Sequence, residues 1–198
     1  MLGLVGLGVA KELNPWHPEV IVPLGYSTDR GGRLSNATKA GLNYALYYAH
    51  EFPKSIVVFA NDDICFLGSE RRQQEQKLEL IRNVRFDGNR VISVGPIQNT
   101  VTELMKVKQA LEEHGIAPKE LLLVTNRYHG ASALYIATAL WPGVRIALRY
   151  SSGKVSQPDH ELFFLRHEWT WILSNWIRYA ALRILGIERV KKIAQPNR

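Results

Sequence analysis

Short apolar runs alternate along the chain with longer segments in which apolar residues recur every three or four positions. The short runs are residues 19–25, 54–61, 90–95, 120–125 and 144–150. The longer segments are residues 33–52, 69–84, 99–115 and 128–141. Strands that alternate with helices in this way are typical of a parallel sheet built from crossover connections. The pattern predicts an α/β fold: a three-layer, Rossmann-like, mainly parallel sheet of about five strands with helices on both faces.

The pattern changes after Tyr150, where a loop rich in serine, glycine and proline precedes a long helical segment over about residues 160–185. One apolar stripe runs along that segment and consists of Leu162, Leu165, Trp169, Ile172, Trp176, Ile177, Ala180 and Ile184. A tryptophan-bearing stripe flanked by arginines also fits a membrane surface, but terminal helices more often dock on their own domain. We therefore expect the stripe to face the domain.

The length of 198 residues predicts one domain. We expect an N-terminal segment over residues 1–18, a core over residues 19–150, and a loop with a docked C-terminal helix over residues 151–198. The apolar run at residues 1–10 is shorter than the roughly 20 residues that a membrane span needs, and it lacks the features of a secretory signal. With a single cysteine, these features favour a cytoplasmic protein.

The 25 basic residues outnumber the 18 acidic ones and give a net charge of +7, with much of the excess after residue 165. This charge favours an anionic partner, either a small phosphorylated molecule, nucleic acid or an acidic membrane surface. Nucleic acid is the least favoured of these, because the aromatic residues near basic ones lie mainly on the predicted helix stripe.

Polar residues follow each predicted strand, on the edge where open α/β sheets bind their ligands. The predicted ligand-binding residues are Gly25, Ser27, Arg30, Arg33, Asn61, Asp62, Asn99, Thr100, Thr125, Asn126 and Arg127. His129 follows the fourth strand and has a side chain suited to proton transfer near neutral pH, although a helix-entry histidine that donates to a carbonyl has the same pattern. Thr100 and Glu103 have the spacing of a capping box, which is an alternative to a role at the site.

Adjacent Asp62 and Asp63 offer oxygen ligands to a divalent cation, but they lack a metal-type spacing and are better interpreted as loop residues. We therefore expect no metal site. The sequence contains no nucleophile elbow, phosphate-binding loop or zinc-protease helix, so no nucleophile is assigned.

Several segments together resemble the ElyC, SanA and YdcF family, a widespread bacterial group described as a domain of unknown function. They are "IVPLG", "KAGLNYALYYA", "SIVVFAND", "NTVTELMKVKQAL" and "LLLVTNRYHGASAL", which fall between about residues 19 and 150. The resemblance implies a Rossmann-like sheet with a polar pocket that includes Gly25, Thr100, Glu103, Thr125 and His129. It also implies an association with S-adenosylmethionine binding and with cell-envelope metabolism.

The chain departs from the family pattern in two places. Asn61 and Asp62 stand where the family has two glycines, and Ser132 stands where it has an arginine. Loss of that arginine weakens phosphate recognition unless Arg127, Arg30 or Arg33 replaces it.

The resulting hypothesis is a small-molecule enzyme or ligand-binding protein for a phosphorylated or nucleotide-like ligand, with His129 as general acid or base and Glu103 orienting it. The alternative is a non-catalytic module that contacts the inner membrane peripherally through its basic, tryptophan-rich C-terminal helix.

Overall fold

The computed structural model describes residues 16–25, 28, 33–61, 73–97, 99–152, 167–186 and 188–189. Five parallel strands form one sheet in the order β3-β2-β1-β4-β5. The strands are β1 (Val20–Pro23), β2 (Ile56–Ala60), β3 (Val91–Val94), β4 (Glu120–Thr125) and β5 (Arg145–Tyr150). The helices are α1 (Asn36–Glu51), α2 (Gln73–Asn83), α3 (Thr100–Glu113), α4 (Gly130–Leu140) and α5 (Glu168–Leu185). The predicted α/β, Rossmann-like fold is confirmed.

Two apolar clusters occupy the two faces of the sheet. One face packs against α1 and α2, and the other packs against α3 and α4, with Leu182 of α5 joining the second cluster. The central strands β1 and β4 are buried on both faces, which explains why their sequences are almost continuously apolar.

The strand order places a topological switch point between β1 and β4. The chain builds β2 and β3 outward on one side of β1, and then returns to form β4 and β5 on the other side. Loops that leave two such neighbouring strands diverge, and the crevice between them is where open α/β sheets bind ligands. The fold therefore indicates that a ligand-binding site would lie at the loops after β1 and β4.

A proline in a strand is usually found at a bulge or an edge because it has no N–H to donate, but Pro23 lies in a central strand. It is the last residue of central strand β1 and is aligned with Val124 of β4. The register between β1 and β2 ends two residues earlier, at Ile21 and Val57. The proline is accommodated because it stands where pairing with β2 has already stopped.

The C-terminal helix docks through a different face from the one that we predicted. Trp171, Asn175 and Leu182 are its buried residues in contact with the domain, whereas Trp169 and Trp176 of the predicted stripe are exposed. Ile177, Ala180 and Ile184 are exposed as well, and Ile172 is half-buried. Leu162 and Leu165 lie outside the described residues.

Candidate functional site

The first turn of α3 connects the two loops that flank the switch point. The Thr100 hydroxyl lies 3.0 Å from Nε2 of His129, which follows β4. Glu103, three residues further along the same helix, accepts a 2.9 Å hydrogen bond from the backbone N–H of Gly25, which follows β1. Residues three apart share a helix face, so one turn of α3 reaches both loops.

This arrangement replaces the capping box that the sequence suggested for Thr100 and Glu103. The N-cap is Asn99, whose side-chain oxygen accepts from the backbone N–H groups of Val101 and Thr102 at 3.0 Å. Thr100 is consequently the first helical residue, and its hydroxyl is not needed at the cap. The capping prediction was wrong because Asn99, one residue earlier, is the stronger cap.

His129 is a buried residue at the N-cap position of α4, and both of its ring nitrogens have partners. Nδ1 lies 2.9 Å from the side-chain oxygen of Asn175 on α5. The Asn175 amide nitrogen donates to the Trp171 carbonyl at 2.9 Å, which leaves its oxygen to accept from Nδ1–H. Nε2 therefore accepts a hydrogen bond from the Thr100 hydroxyl, and the ring is held as one neutral tautomer.

The surroundings of His129 disfavour its charged form. The pKa of His129 is lowered from 6.5 to about 4, mainly by burial; the Asn175 hydrogen bond opposes the change, and the nearby Arg178 charge adds to it. At neutral pH the ring is therefore uncharged. It is suited to accepting a hydrogen bond or proton at Nε2, and it does not hold a proton there to donate as an acid.

Ser132 occupies the position where the family pattern has an arginine, and its hydroxyl is used locally. The hydroxyl donates to the His129 carbonyl at 2.9 Å and lies 3.3 Å from Nδ1. Serine thus supports the turn that carries His129, and the nearby positive charge comes from Arg178 of α5.

Lys77 and Glu103 are two buried charged residues that both lie beside Gly25, just after β1. A Cβ atom built on Gly25 would lie 3.7 Å from both Lys77 Nζ and Glu103 Oε1. Lys77 also donates to the carbonyl of Ala60, the last residue of β2, and to Gln73 at 3.3 Å. A small cavity beside them is lined by Pro23, Leu24, Gly25, Thr38, Leu42, Phe59 and Lys77.

Asn61 follows β2 and is a buried amide that is only partly satisfied. Its nitrogen donates to the Ser93 hydroxyl at 2.7 Å and to the Val94 carbonyl at 3.0 Å. Within the described part of the chain, its side-chain oxygen has no hydrogen-bond partner. A buried acceptor of this kind is costly unless something binds it, so Asn61 is a candidate contact for a ligand donor.

The remaining described candidates have clear local surroundings. Thr125 is the buried last residue of β4, and Asn126 shapes the turn after it by accepting from the backbone N–H of Tyr128 at 2.9 Å. Arg127 is exposed and its guanidinium stacks over Tyr128, 4.8 Å from the ring centre. Arg33 is exposed at the entrance to α1.

Ser27, Arg30 and Asp62 lie outside the described residues.

No protein-family model matches the chain, and no curated protein matches it significantly. The resemblance to the ElyC, SanA and YdcF family stays a prediction. The proposal that Glu103 orients His129 also stays a prediction, because the residue described at Nδ1 of His129 is Asn175.

Sequence reasoning missed Lys77 and Asn175. Lys77 lies in a strongly polar helix whose buried positions are Gln73, Lys77 and Ile81. This spacing marks one helix face, but two of its three residues are polar, so a search for hydrophobic periodicity does not detect it. Asn175 is similarly a polar residue four positions after a buried tryptophan, on the face of α5 that is less apolar than the exposed one.

Proposed function

We propose that this protein binds a small phosphorylated or nucleotide-like molecule above the switch point between β1 and β4, and acts on it as a small-molecule enzyme. The hydrogen bond between Thr100 and His129 carries the proposal. It joins a hydroxyl at the start of α3 to a neutral imidazole at the start of α4, on the edge of the sheet where ligands bind in this fold class.

Two features of the site favour an anionic ligand. The N-termini of α3 and α4 carry partial positive charge, which attracts phosphate and carboxylate groups. Arg178 acts on the His129 ring electrostatically, and we propose that it contacts the anion in place of Arg127, Arg30 or Arg33. The absence of an arginine at position 132 is then compatible with phosphate recognition.

The chemistry of His129 in this proposal is that of a proton acceptor. With its pKa lowered to about 4, Nε2 is unprotonated at neutral pH and already accepts from a hydroxyl. A ligand hydroxyl that replaces the Thr100 hydroxyl would meet the same lone pair. Asn175 holds the ring in the tautomer that this requires. A place for the reaction in cell-envelope metabolism rests on the family resemblance alone.

A thermal-shift screen tests the proposal with nucleotides, S-adenosylmethionine, sugar phosphates and divalent metals, since a ligand that binds the native state raises the melting temperature. We expect an anionic ligand to raise it, and His129→Gln to remove most of the increase. His50→Gln is the control, because His50 is exposed on α1 in the other helical layer. Equal responses from both variants would show that the ligand binds elsewhere.

A second pair of variants tests the anion contact. Arg178→Met should weaken binding of the ligand at least about tenfold, the usual scale for loss of a charged partner. Arg183→Met, on the same helix, should leave the affinity unchanged, since the Arg183 guanidinium lies 5.5 Å from the Tyr135 ring centre. If both variants bind equally well, Arg178 is not the anion contact.

A further inference from the structure

The outward face of α5 is apolar along the length of the helix. Trp169, Leu173, Trp176, Ile177 and Ile184 are 60%, 52%, 63%, 60% and 82% exposed. At 100° per residue these side chains, with exposed Ala180 between them, fall within about one third of the helix circumference. Large apolar residues are common singly on protein surfaces, but a contiguous stripe of five indicates a binding face.

The helix is amphipathic in the opposite sense from an ordinary docked helix. Its buried positions include the polar residues Thr170 and Asn175, whereas the outward stripe contains no polar residue. The most apolar face of a docked helix normally points into the protein, because burial there is what stabilises docking. Packing within the domain therefore does not account for the outward stripe.

The charge around the stripe selects an anionic partner. The helix contains Arg178 and Arg183 against one acidic residue, Glu168 at its first position. The chain beyond it adds Arg189, Lys191, Lys192 and Arg198 against Glu188 alone. A second copy of this chain docking on the same face would bring these like charges together, whereas anionic lipid headgroups would be attracted by them.

The composition of the stripe suits the interfacial region of a bilayer. Tryptophan is enriched at that depth because its ring is apolar and its indole N–H is polar. An 18-residue helix is about 27 Å long and, lying flat, would present the whole stripe to the lipid at once. Among the described residues no helix is long and apolar enough to cross a membrane, so the fitting geometry is a helix parallel to the surface.

We propose that the outward face of α5 docks on an anionic membrane surface, with Trp169, Trp176 and Ile177 inserted between the lipid headgroups. The inward face of the same helix positions His129 through Asn175. Docking would therefore bring the candidate site close to the membrane surface. The proposal stands independently of what the site binds.

Vesicle co-sedimentation of the full chain tests the docking. We expect binding to vesicles of phosphatidylcholine mixed with phosphatidylglycerol, a marked decrease at high salt, and at least tenfold weaker binding to phosphatidylcholine alone. The triple variant Trp169→Ser, Trp176→Ser, Ile177→Ser should bind the mixed vesicles at least about tenfold more weakly, because it removes most of the inserted apolar area. Brominated lipids should quench the tryptophan fluorescence of the unmodified protein, which tests insertion without any substitution.

Tyr47→Ser is the matched control. Tyr47 is 59% exposed on α1, in the other helical layer, so its loss should not change vesicle binding. The proposal is overturned if the unmodified chain does not bind the mixed vesicles, or if the triple variant binds them as well as the control does. It is also overturned if the chain forms a dimer that the triple variant abolishes while vesicle binding persists, because a second copy would then be the partner of this face.

Discussion

Acidification should destabilise this protein through His129, and the size of the effect follows from the burial of the ring. The pKa is lowered from 6.5 to about 4 in the folded chain, so between these pH values the unfolded chain binds a proton that the folded chain does not. The stability present above pH 6.5 is therefore lost as the pH falls towards 4, and His129 causes no further loss below that. One pKa unit corresponds to about 1.4 kcal/mol, which gives a total loss of about 3 kcal/mol.

Urea denaturation across this pH range measures the effect as the difference between the unmodified chain and His129→Gln. The variant removes the titrating group, while the acidic residues that also titrate in this range are common to both chains. We expect the difference in unfolding free energy to change by about 3 kcal/mol between pH 7 and pH 4, always in the direction that favours the unmodified chain at higher pH. The reasoning fails if the difference is constant with pH, or if the NMR titration of the His129 ring has its midpoint near 6.5.

Two further predictions concern the contact of Asn175 with His129 and the packing around two glycines. Asn175→Asp places a carboxylate beside Nδ1 of His129, so the pKa of His129 should rise by at least about one unit, as an NMR titration would show; an unchanged midpoint would contradict the assigned contact. Gly95→Ala should lower the unfolding free energy by about 2 kcal/mol, because the added Cβ would lie 2.8 Å from the Asn61 carbonyl. Gly25→Ala, whose nearest neighbours would be at 3.7 Å, should cost less than about 1 kcal/mol, and equal urea midpoints for the two alanine variants would refute the comparison.

The sheet was predictable largely because its central strands are buried on both faces. Residues 121–124 form a continuous apolar run within the predicted strand over residues 120–125, and β4 occupies that same range in the structure. The helical layers followed from the three- and four-residue spacing between the strands. The order of the strands was not predictable from these patterns, since it depends on which edges pair after the chain returns from β3 to β4.

The candidate site was predictable only where its residues follow strands. Thr100 and His129 stand at such positions, and the structure brings their side chains within 3.0 Å of each other. Asn175 and Lys77 come from helix interiors, where polarity alone indicates an exposed face. The stripe on α5 misled the prediction for the related reason that hydrophobic periodicity identifies an apolar face without showing what covers it.

The hydrogen-bonded chain of half-buried Thr100 and buried His129 and Asn175 is hard to explain by stability alone. It joins three helices through polar contacts, and each side chain needs the next one to satisfy its hydrogen bonds. Well-packed apolar side chains at such positions are often as stabilising as a satisfied polar network, and they carry no penalty when one partner shifts. The burial that lowers the pKa of His129 is a further cost that an apolar residue would avoid. A function for the neutral imidazole at the edge of the sheet accounts for these costs. Asn175 of α5 then has the role of holding the imidazole in place.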